Sequence, residues 1–276
     1  MSTIANIGAV LRLFNADRRI IFVTEAAELL DMPKSSASRL LKLMNEEGLL
    51  ASLDGKPGYT IGNLILEKAP VPRGNSSLDS LVDEVLTRVC AATGHTGYMA
   101  ILDGADIFCV RIRYGSHALR VVTLPGYRAQ AFATATGRAL LARFDDDRVR
   151  ALHPPPLTLR SRRSPQSMSE LLAALANIRQ HGWDESYDEA VAGVGSIAVS
   201  VFDPESGDSL AFCISYSAHM VGPNEKARIV SLLLQAGKEV GMKVEDPFWV
   251  SSNFSVVEDA PVAIDEPRPP AGMLSR

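Results

Sequence analysis

Between residues 23 and 62 the chain alternates polar and apolar residues in a pattern that few folds can satisfy. At about 100° per residue, Ala37, Leu40, Leu41 and Met44 fall within one narrow arc of a helix and must face a core. Ser35, Arg39 and Lys42 fall on the opposite side, flanked by Ser36 and Ser38. The turn Asp31-Met32-Pro33 precedes this helix, because proline opens a helix well but does not sit inside one. Gly48 stops it at Glu47. Upstream, Thr24 caps a second helix over Glu25–Leu30, and Ile4, Ile7, Val10, Leu11 and Phe14 mark a first one. Downstream, Leu49–Leu53 and Tyr59–Ile61 read as strands around the turn Asp54-Gly55-Lys56-Pro57-Gly58. Three short helices followed by a hairpin make a winged helix-turn-helix.

The outer face of the third helix carries small hydroxyls and long cations, which suits a major groove. Arginine can pair there with guanine edges, and serine with phosphates or bases. The contact candidates are Thr24, Lys34, Ser35, Ser36, Ser38, Arg39 and Lys42, with Lys56 at the hairpin tip reaching the backbone or minor groove. The net charge of −4 does not oppose this. Residues 1–68 hold eight Lys/Arg and eight Asp/Glu, yet Lys34 to Met44 includes three cations and no acid. A local basic face is what phosphate contact needs, and the overall balance excludes broad coating of nucleic acid. Winged helices also serve as protein-docking modules, so the pattern alone leaves that alternative open.

Beyond residue 62 the reading is a linker over 63–77, with Pro70, Pro72 and Gly74, and then a second domain over 78–246. Leu78, Leu81, Val82, Val85, Leu86 and Val89 mark a long amphipathic helix that ends at Gly94. Strands are expected at Thr96–Leu102, Asp106–Ile112 and Ala118–Leu124, and a hairpin at Ser196–Phe202 and Ser209–Ser217. Helices are expected at Ala135–Arg143, after the Ser167/Glu170 capping box, and from Asn224 to about Lys243. The segment 247–276 is rich in Pro, Ser and acid and reads as a disordered tail.

The run Val23-Thr-Glu-Ala-Ala-Glu-Leu-Leu-Asp-Met-Pro-Lys-Ser-Ser-Ala-Ser-Arg-Leu-Leu41 continues to Glu47-Gly-Leu-Leu50 and Gly58-Tyr-Thr-Ile-Gly62. It resembles the DNA-binding domain of IclR-family regulators. Ala133-Thr-Ala-Thr-Gly-Arg-Ala-Leu-Leu-Ala142, Ile178-Arg-Gln-His-Gly-Trp183, Asp188-Glu189, Gly193 and Ser196-Ile-Ala198 resemble that family's effector domain. The resemblance spans roughly residues 2–245. It implies an α+β chain in which the winged helix-turn-helix joins, through a linker helix, a GAF-like α/β effector-binding domain. It also implies homodimers or dimers of dimers on double-stranded operator DNA, and a small organic effector, often a carboxylic acid. Carried over by position, the effector pocket involves Ala135, Thr136, Ser186, Ser196, Ser215 and Ser217, and Arg128 can pair with a carboxylate. Three positions depart from the family: Gln130 stands where proline is usual, Ser186 where some members have aspartate, and Ser196 where cysteine is frequent.

Other classes find little support. Gly193-x-Gly195-x-x-Ala198 precedes a strand, whereas a dinucleotide fingerprint opens a helix. There is no Gly-x-Ser-x-Gly elbow and no phosphate-binding Gly-Lys-Ser/Thr loop, so no catalytic residue, cofactor or enzyme activity is assigned. Five scattered histidines and the three cysteines Cys90, Cys109 and Cys213 show no metal spacing. The cysteines leave a redox-responsive regulator as the alternative reading. Their spacing, the lack of a signal peptide and the absence of an apolar run of membrane length point to the cytoplasm and to no membrane partner.

Overall fold

The structure is a computed structural model, and it divides the chain into two compact units, Met1–Asn75 and Ser76–Arg276. It describes residues 2–15, 18–53, 57–68, 77–118, 120–121, 125–157, 161–252 and 254. In the first unit the elements are α1 (Thr3–Leu13), α2 (Val23–Leu29), α3 (Lys34–Glu46), β1 (Leu50–Ser52), β2 (Tyr59–Ile61) and α4 (Asn63–Lys68). Val10, Ile21, Ala26, Leu40, Leu41, Met44 and Leu50 form its core. The strands β1 and β2 pair antiparallel, Leu50 with Ile61, and Ile21 bridges to Tyr59.

Two expectations change here. Thr24 does not cap α2 but stands in its first turn. The cap position is Phe22, whose N–H donates to Glu25 Oε2 at 3.5 Å. An acid three residues into a helix supplies the acceptor and complements the dipole, so no hydroxyl is required. Part of the expected linker, 63–68, is the helix α4, which buries no residue. Residues 69–76 lie outside the described set.

The second unit contains α5 (Ser77–Thr93), β3 (Thr96–Asp103), β4 (Asp106–Arg113), β5 (Arg128–Gln130), a 3-10 turn (Ala131–Ala133), α6 (Ala135–Leu141), α7 (Asp146–Leu152), α8 (Met168–His181), β6 (Asp184–Tyr187), β7 (Val194–Phe202), β8 (Ser209–Ser217), α9 (Pro223–Lys243) and α10 (Pro247–Ser251). The six strands form one antiparallel sheet in the order β5-β4-β3-β8-β7-β6. The expected strand Ala118–Leu124 is not seen where it is described: Ala118, Arg120 and Val121 belong to no strand, and Leu119 and 122–124 lie outside the described residues. The edge partner of β4 is instead β5, and the Val121 carbonyl accepts from the Tyr98 hydroxyl at 2.6 Å.

Alternation along the strands decides what each face of the sheet carries. Ile197, Val199 and Val201 on β7 and Leu210, Phe212, Ile214 and Tyr216 on β8 pack in one core with Leu78, Leu86, Leu233 and Val240 of α5 and α9. The residues between them are small: Ser196, Ala198 and Ser200, then Ala211, Cys213 and Ser215. Against this second face lies α6, buried along its whole length. A Cβ at Gly137 would meet the Ala131 carbonyl oxygen at 2.1 Å, so only glycine lets the 3-10 turn fold back on the helix.

The segment beyond Pro247, expected to be disordered, begins with ordered structure. Asp246 caps α10, and its carboxylate accepts from the N–H groups of Phe202 (2.9 Å) and Phe248 (3.1 Å) and from the Arg143 guanidinium. Trp249 is 1% exposed, donates from Nε1 to the Ser200 carbonyl at 2.8 Å, and packs on Gly237 and Gly241 of α9. Proline here opens a helix where it had been read as the end of structure. Residue 253 and residues 255–276 lie outside the described set. Trp249→Ala should therefore lower the stability of the second unit by about 3–5 kcal/mol in urea denaturation followed by circular dichroism. A loss below about 1 kcal/mol would mean that α10 does not belong to the core.

Candidate functional site

In the first unit, α3 divides as its periodicity requires. Ala37, Leu40, Leu41 and Met44 are buried, while Lys34, Ser35, Ser36, Ser38, Arg39 and Lys42 are exposed. Lys42 lies 3.8 Å from Glu46 one turn on, an exposed pair worth little that leaves the cation available. Arg39 and Lys34 have no ion pair among the described residues. Thr24 is exposed on α2, and Lys56 lies outside the described residues.

The second unit holds a cavity on the small-residue face of its sheet, with about 630 Å³ of empty space including the mouth. Its floor is Tyr98 and Ala100 of β3, Ile107 and Cys109 of β4, Ser196 of β7, and Cys213 and Ser215 of β8. One wall is the start of α6, where the Thr134 hydroxyl caps the helix by accepting from the Gly137 N–H at 3.0 Å. Ala135 and Thr136 line the cavity there, and helix geometry leaves their own N–H groups without intrahelical acceptors. Ser186 of β6 and Ala190, Val191 and Val194 close the remaining side. The loop carrying Ala190 and Val191 is pinned at its neck, where Asp188 Oδ1 accepts from the Gly193 N–H at 2.6 Å.

Five of the seven effector candidates, Ala135, Thr136, Ser186, Ser196 and Ser215, thus meet at one cavity. Ser217, at the end of β8, is not part of its lining. Arg128 is also absent from it: this exposed side chain pairs with Asp103 and stacks over Phe108 at 5.2 Å. Tyr98, Cys109, Tyr127 and Cys213 line the cavity without having been anticipated. The signal for the floor was present in the alternation of large and small residues along β7 and β8. A sheet face paved with Ser, Ala and Cys leaves room either for a close helix or for a void, and here it provides both.

Behind the cavity stands Arg138 of α6, only 3% exposed. Its Nε donates to Asp184 Oδ2 at 2.7 Å. One terminal nitrogen donates to the Phe132 carbonyl (3.0 Å) and to Glu189 Oε2 (2.5 Å). The other donates to the Glu185 carbonyl and to Glu189 Oε1, both at 3.0 Å. All five guanidinium donors are used. One guanidinium faces two buried carboxylates, so one negative charge stays uncompensated. Burial pushes the Asp184 carboxyl up to about 6 against the pull of Arg138, and raises Glu189 for the same reason.

The three cysteines are buried and unpaired. Burial raises Cys90 and Cys109 to about 11 and Cys213 to about 12, so near neutral pH they are thiols. A redox-responsive reading lacks the thiolate such chemistry needs. Among the described residues no helix is long and apolar enough to cross a membrane, and no cluster of His, Cys, Asp and Glu could hold a metal.

Comparison with known proteins covers both units. The family model for the bacterial transcriptional regulator IclR C-terminal domain matches residues 75–242, and that for the IclR helix-turn-helix domain matches residues 3–54. The HTH-type transcriptional regulator XynR of Escherichia coli (strain K12) is 28% identical over 235 residues, covering 83% of this chain and 91% of that protein. The crystal structure of an IclR transcriptional regulator from Alicyclobacillus acidocaldarius superposes with a TM-score of 0.77 at 20% identity, covering 87% of this chain and 97% of that one. An IclR homologue from Microbacterium hydrocarbonoxydans, in complex with 4-hydroxybenzoate, gives a TM-score of 0.73 at 19% identity, covering 88% and 99%.

The buried charges behind the cavity set a pH dependence. The folded-state pKa of Asp184 lies above the ordinary value of 3.8. The folded state therefore holds that proton more tightly, and the stability it contributes is complete below about pH 4 and lost as pH rises through about 6. Asp184→Asn should remove this component, making the plot of unfolding free energy against pH between 4 and 7 fall less steeply than in wild type. Parallel curves for the two proteins would show that Asp184 is ionised throughout.

Proposed function

This chain belongs to the IclR family of bacterial transcriptional regulators, and on that footing we propose that α3 is its operator-reading helix and the cavity of the second unit its effector site. The observation that carries the first part is the division of α3 itself. Four apolar side chains hold the helix on its core while six hydroxyl and cationic side chains face outward. Arg39 stands at the middle of that face, the place for a bidentate contact to a guanine edge. Lys34 and Lys42 flank it at the right spacing for phosphates, where they fix register without reading sequence. Thr24 and Lys56 complete the contact set.

Two such helices, from two copies of the chain, would read a pseudo-palindromic operator from the cytoplasmic side of the cell. The effector is a small organic acid held by hydroxyl and backbone N–H donors at Ala135, Thr136, Ser186, Ser196 and Ser215. Its influence on DNA requires that it prefer one arrangement of the dimer over another. The complex of a structural relative with 4-hydroxybenzoate supports a ligand of this size.

The test is fluorescence anisotropy with the DNA upstream of the protein's own gene, against a scrambled duplex, across a salt series. Wild type should prefer the upstream fragment and weaken linearly on a log–log plot as salt rises. Arg39→Ala should cost about 1–3 kcal/mol per half-site and narrow the preference over the scrambled duplex. Lys34→Ala should weaken both duplexes alike and lower the salt slope by about 1. If Arg39→Ala and Lys42→Ala both bind like wild type, α3 is not the reading helix.

A further inference from the structure

Hydroxyl-bearing residues form a row across the cavity side of the sheet. Ser186 of β6 is the register partner of Ser196 of β7, and Ser196 is the partner of Ser215 of β8. Thr96 of β3 stands opposite Ser215 in turn. Four hydroxyl-bearing residues therefore lie side by side across four adjacent strands. The next row on the same face, two residues along each strand, is Asp184, Ala198, Cys213 and Tyr98; Asp184 is held by Arg138 outside the cavity lining, and the other three line the floor or lie beneath it. At about 3.4 Å per residue, the floor passes from hydroxyl to apolar within about 7 Å.

This row cannot satisfy itself. The Ser196 and Ser215 hydroxyls lie 2.6 Å apart, so one proton is shared between them, and Ser215 Oγ has only the weak partner Cys213 Sγ besides, at 3.8 Å. Ser186 is 8% exposed and its hydroxyl has no hydrogen-bond partner among the described residues, while Thr96 Oγ1, buried with none, lies outside the cavity lining. Thr136, 6% exposed on the first turn of α6, lines the same cavity, also without a side-chain partner among the described residues. Ser186 and Thr136 thus line the cavity with hydroxyls that no protein group engages among the described residues, and an oxygen-rich group there would find these donors ready.

The charge of that group is limited by its surroundings. No Lys, Arg or His is among the described residues that line the cavity. The nearest buried cation, Arg138, has every donor committed and two carboxylates to balance. Hydroxyl and N–H donors can hold one carboxylate, but a second would enter a low-dielectric site with no counter-charge. Of the other lining residues, Ile107, Val121, Val191 and Val194 offer nothing to further hydroxyl groups, and the Tyr98 and Thr134 hydroxyls are engaged by the Val121 carbonyl and the Gly137 N–H.

Building on the effector-site reading above, we infer that the cavity takes a small monocarboxylic acid with an apolar body, its carboxylate seated on the Ser186–Ser196–Ser215 row, and that it rejects dicarboxylates and polyhydroxylated acids. The discriminating groups are the three serines and the apolar walls facing them. Arg138 is a positioning residue for this arrangement: it touches no ligand but ties together the turn before α6, strand β6 and the loop after it.

The experiment is isothermal titration calorimetry of the full chain, without DNA, against benzoate, hexanoate, succinate and gluconate. Benzoate or hexanoate should bind saturably, with one site per chain, and succinate and gluconate at least about tenfold more weakly. Ser196→Val and Ser186→Ala should each weaken the binding of the better acid about tenfold or more, as the loss of a hydrogen bond to a charged group does. Ser217→Ala, outside the lining, should not. Tighter binding of succinate or gluconate, binding by none of the four, or a monocarboxylate affinity unchanged in both cavity variants would each overturn the inference. Adding the bound acid to the anisotropy assay separates the two claims. An acid that binds through the serine row but leaves DNA affinity unaltered upholds the cavity chemistry and refutes the effector role.

Discussion

The buried guanidinium of Arg138 is the interaction on which the second unit's working half depends. It draws together pieces of chain that are neighbours only in space: the 3-10 turn through the Phe132 carbonyl, β6 through Asp184 and Glu185, and the following loop through Glu189. Each of these pieces borders the cavity. A buried cation with all its donors met and two anions beside it is not an efficient source of stability, because desolvation offsets much of the attraction. What it supplies is a fixed geometry. Removing the guanidinium would leave two carboxylates uncompensated in the interior, so the segments can hardly shift independently.

A second constraint, more diffuse, is the division of the sheet into two unlike faces. Large aliphatic and aromatic side chains fill the side covered by α5 and α9, and this core can be made tightly because nothing else is asked of it. The opposite face is paved with serine, alanine and cysteine. That paving lets α6 approach closely enough for the Ala139 carbonyl to accept from the Ser200 hydroxyl at 2.8 Å. Where the helix begins, the same small residues leave the void. Close packing and cavity are thus two consequences of one pattern, separated by where α6 starts, and that start is set by Thr134 as cap and by the glycine at 137.

Much of the first unit was legible because its signals are local. Ala37, Leu40, Leu41 and Met44 announce a buried stripe at helical spacing, and Asp31-Met32-Pro33 and Gly48 mark its ends. The errors there were about which of several good local groups acts, as with Thr24 and Glu25 at the start of α2. In the second unit, long helices and the β7–β8 hairpin could be read in the same way. The edge of the sheet could not. An apolar run near residue 120 and the short segment 128–130 compete for one side of β4, and only pairing with Asp106–Phe108 selects the latter. The chain after Pro247 misled for a similar reason: Pro and acid suggest an end, while Asp246 as cap and Trp249 as anchor make a helix once Gly237 and Gly241 of α9 offer a flat place to pack.

By itself the sequence determined the helix-turn-helix, the side of α3 that faces outward, the two-part organisation and the family. Each rests on periodicity or on contiguous motifs that survive without knowing what lies across from them. Only the tertiary structure decided which hydroxyls share a site. Ser186, Ser196 and Ser215 come from three different strands, and nothing local distinguishes them from Ser217 or from any other strand serine. Antiparallel register brings the three into one row, Ser217 stays outside the cavity lining, and the Asp103 carboxylate keeps Arg128 occupied. Pairing between strands is a long-range choice made by the whole sheet, so the chemistry of the cavity appears only once the sheet is closed.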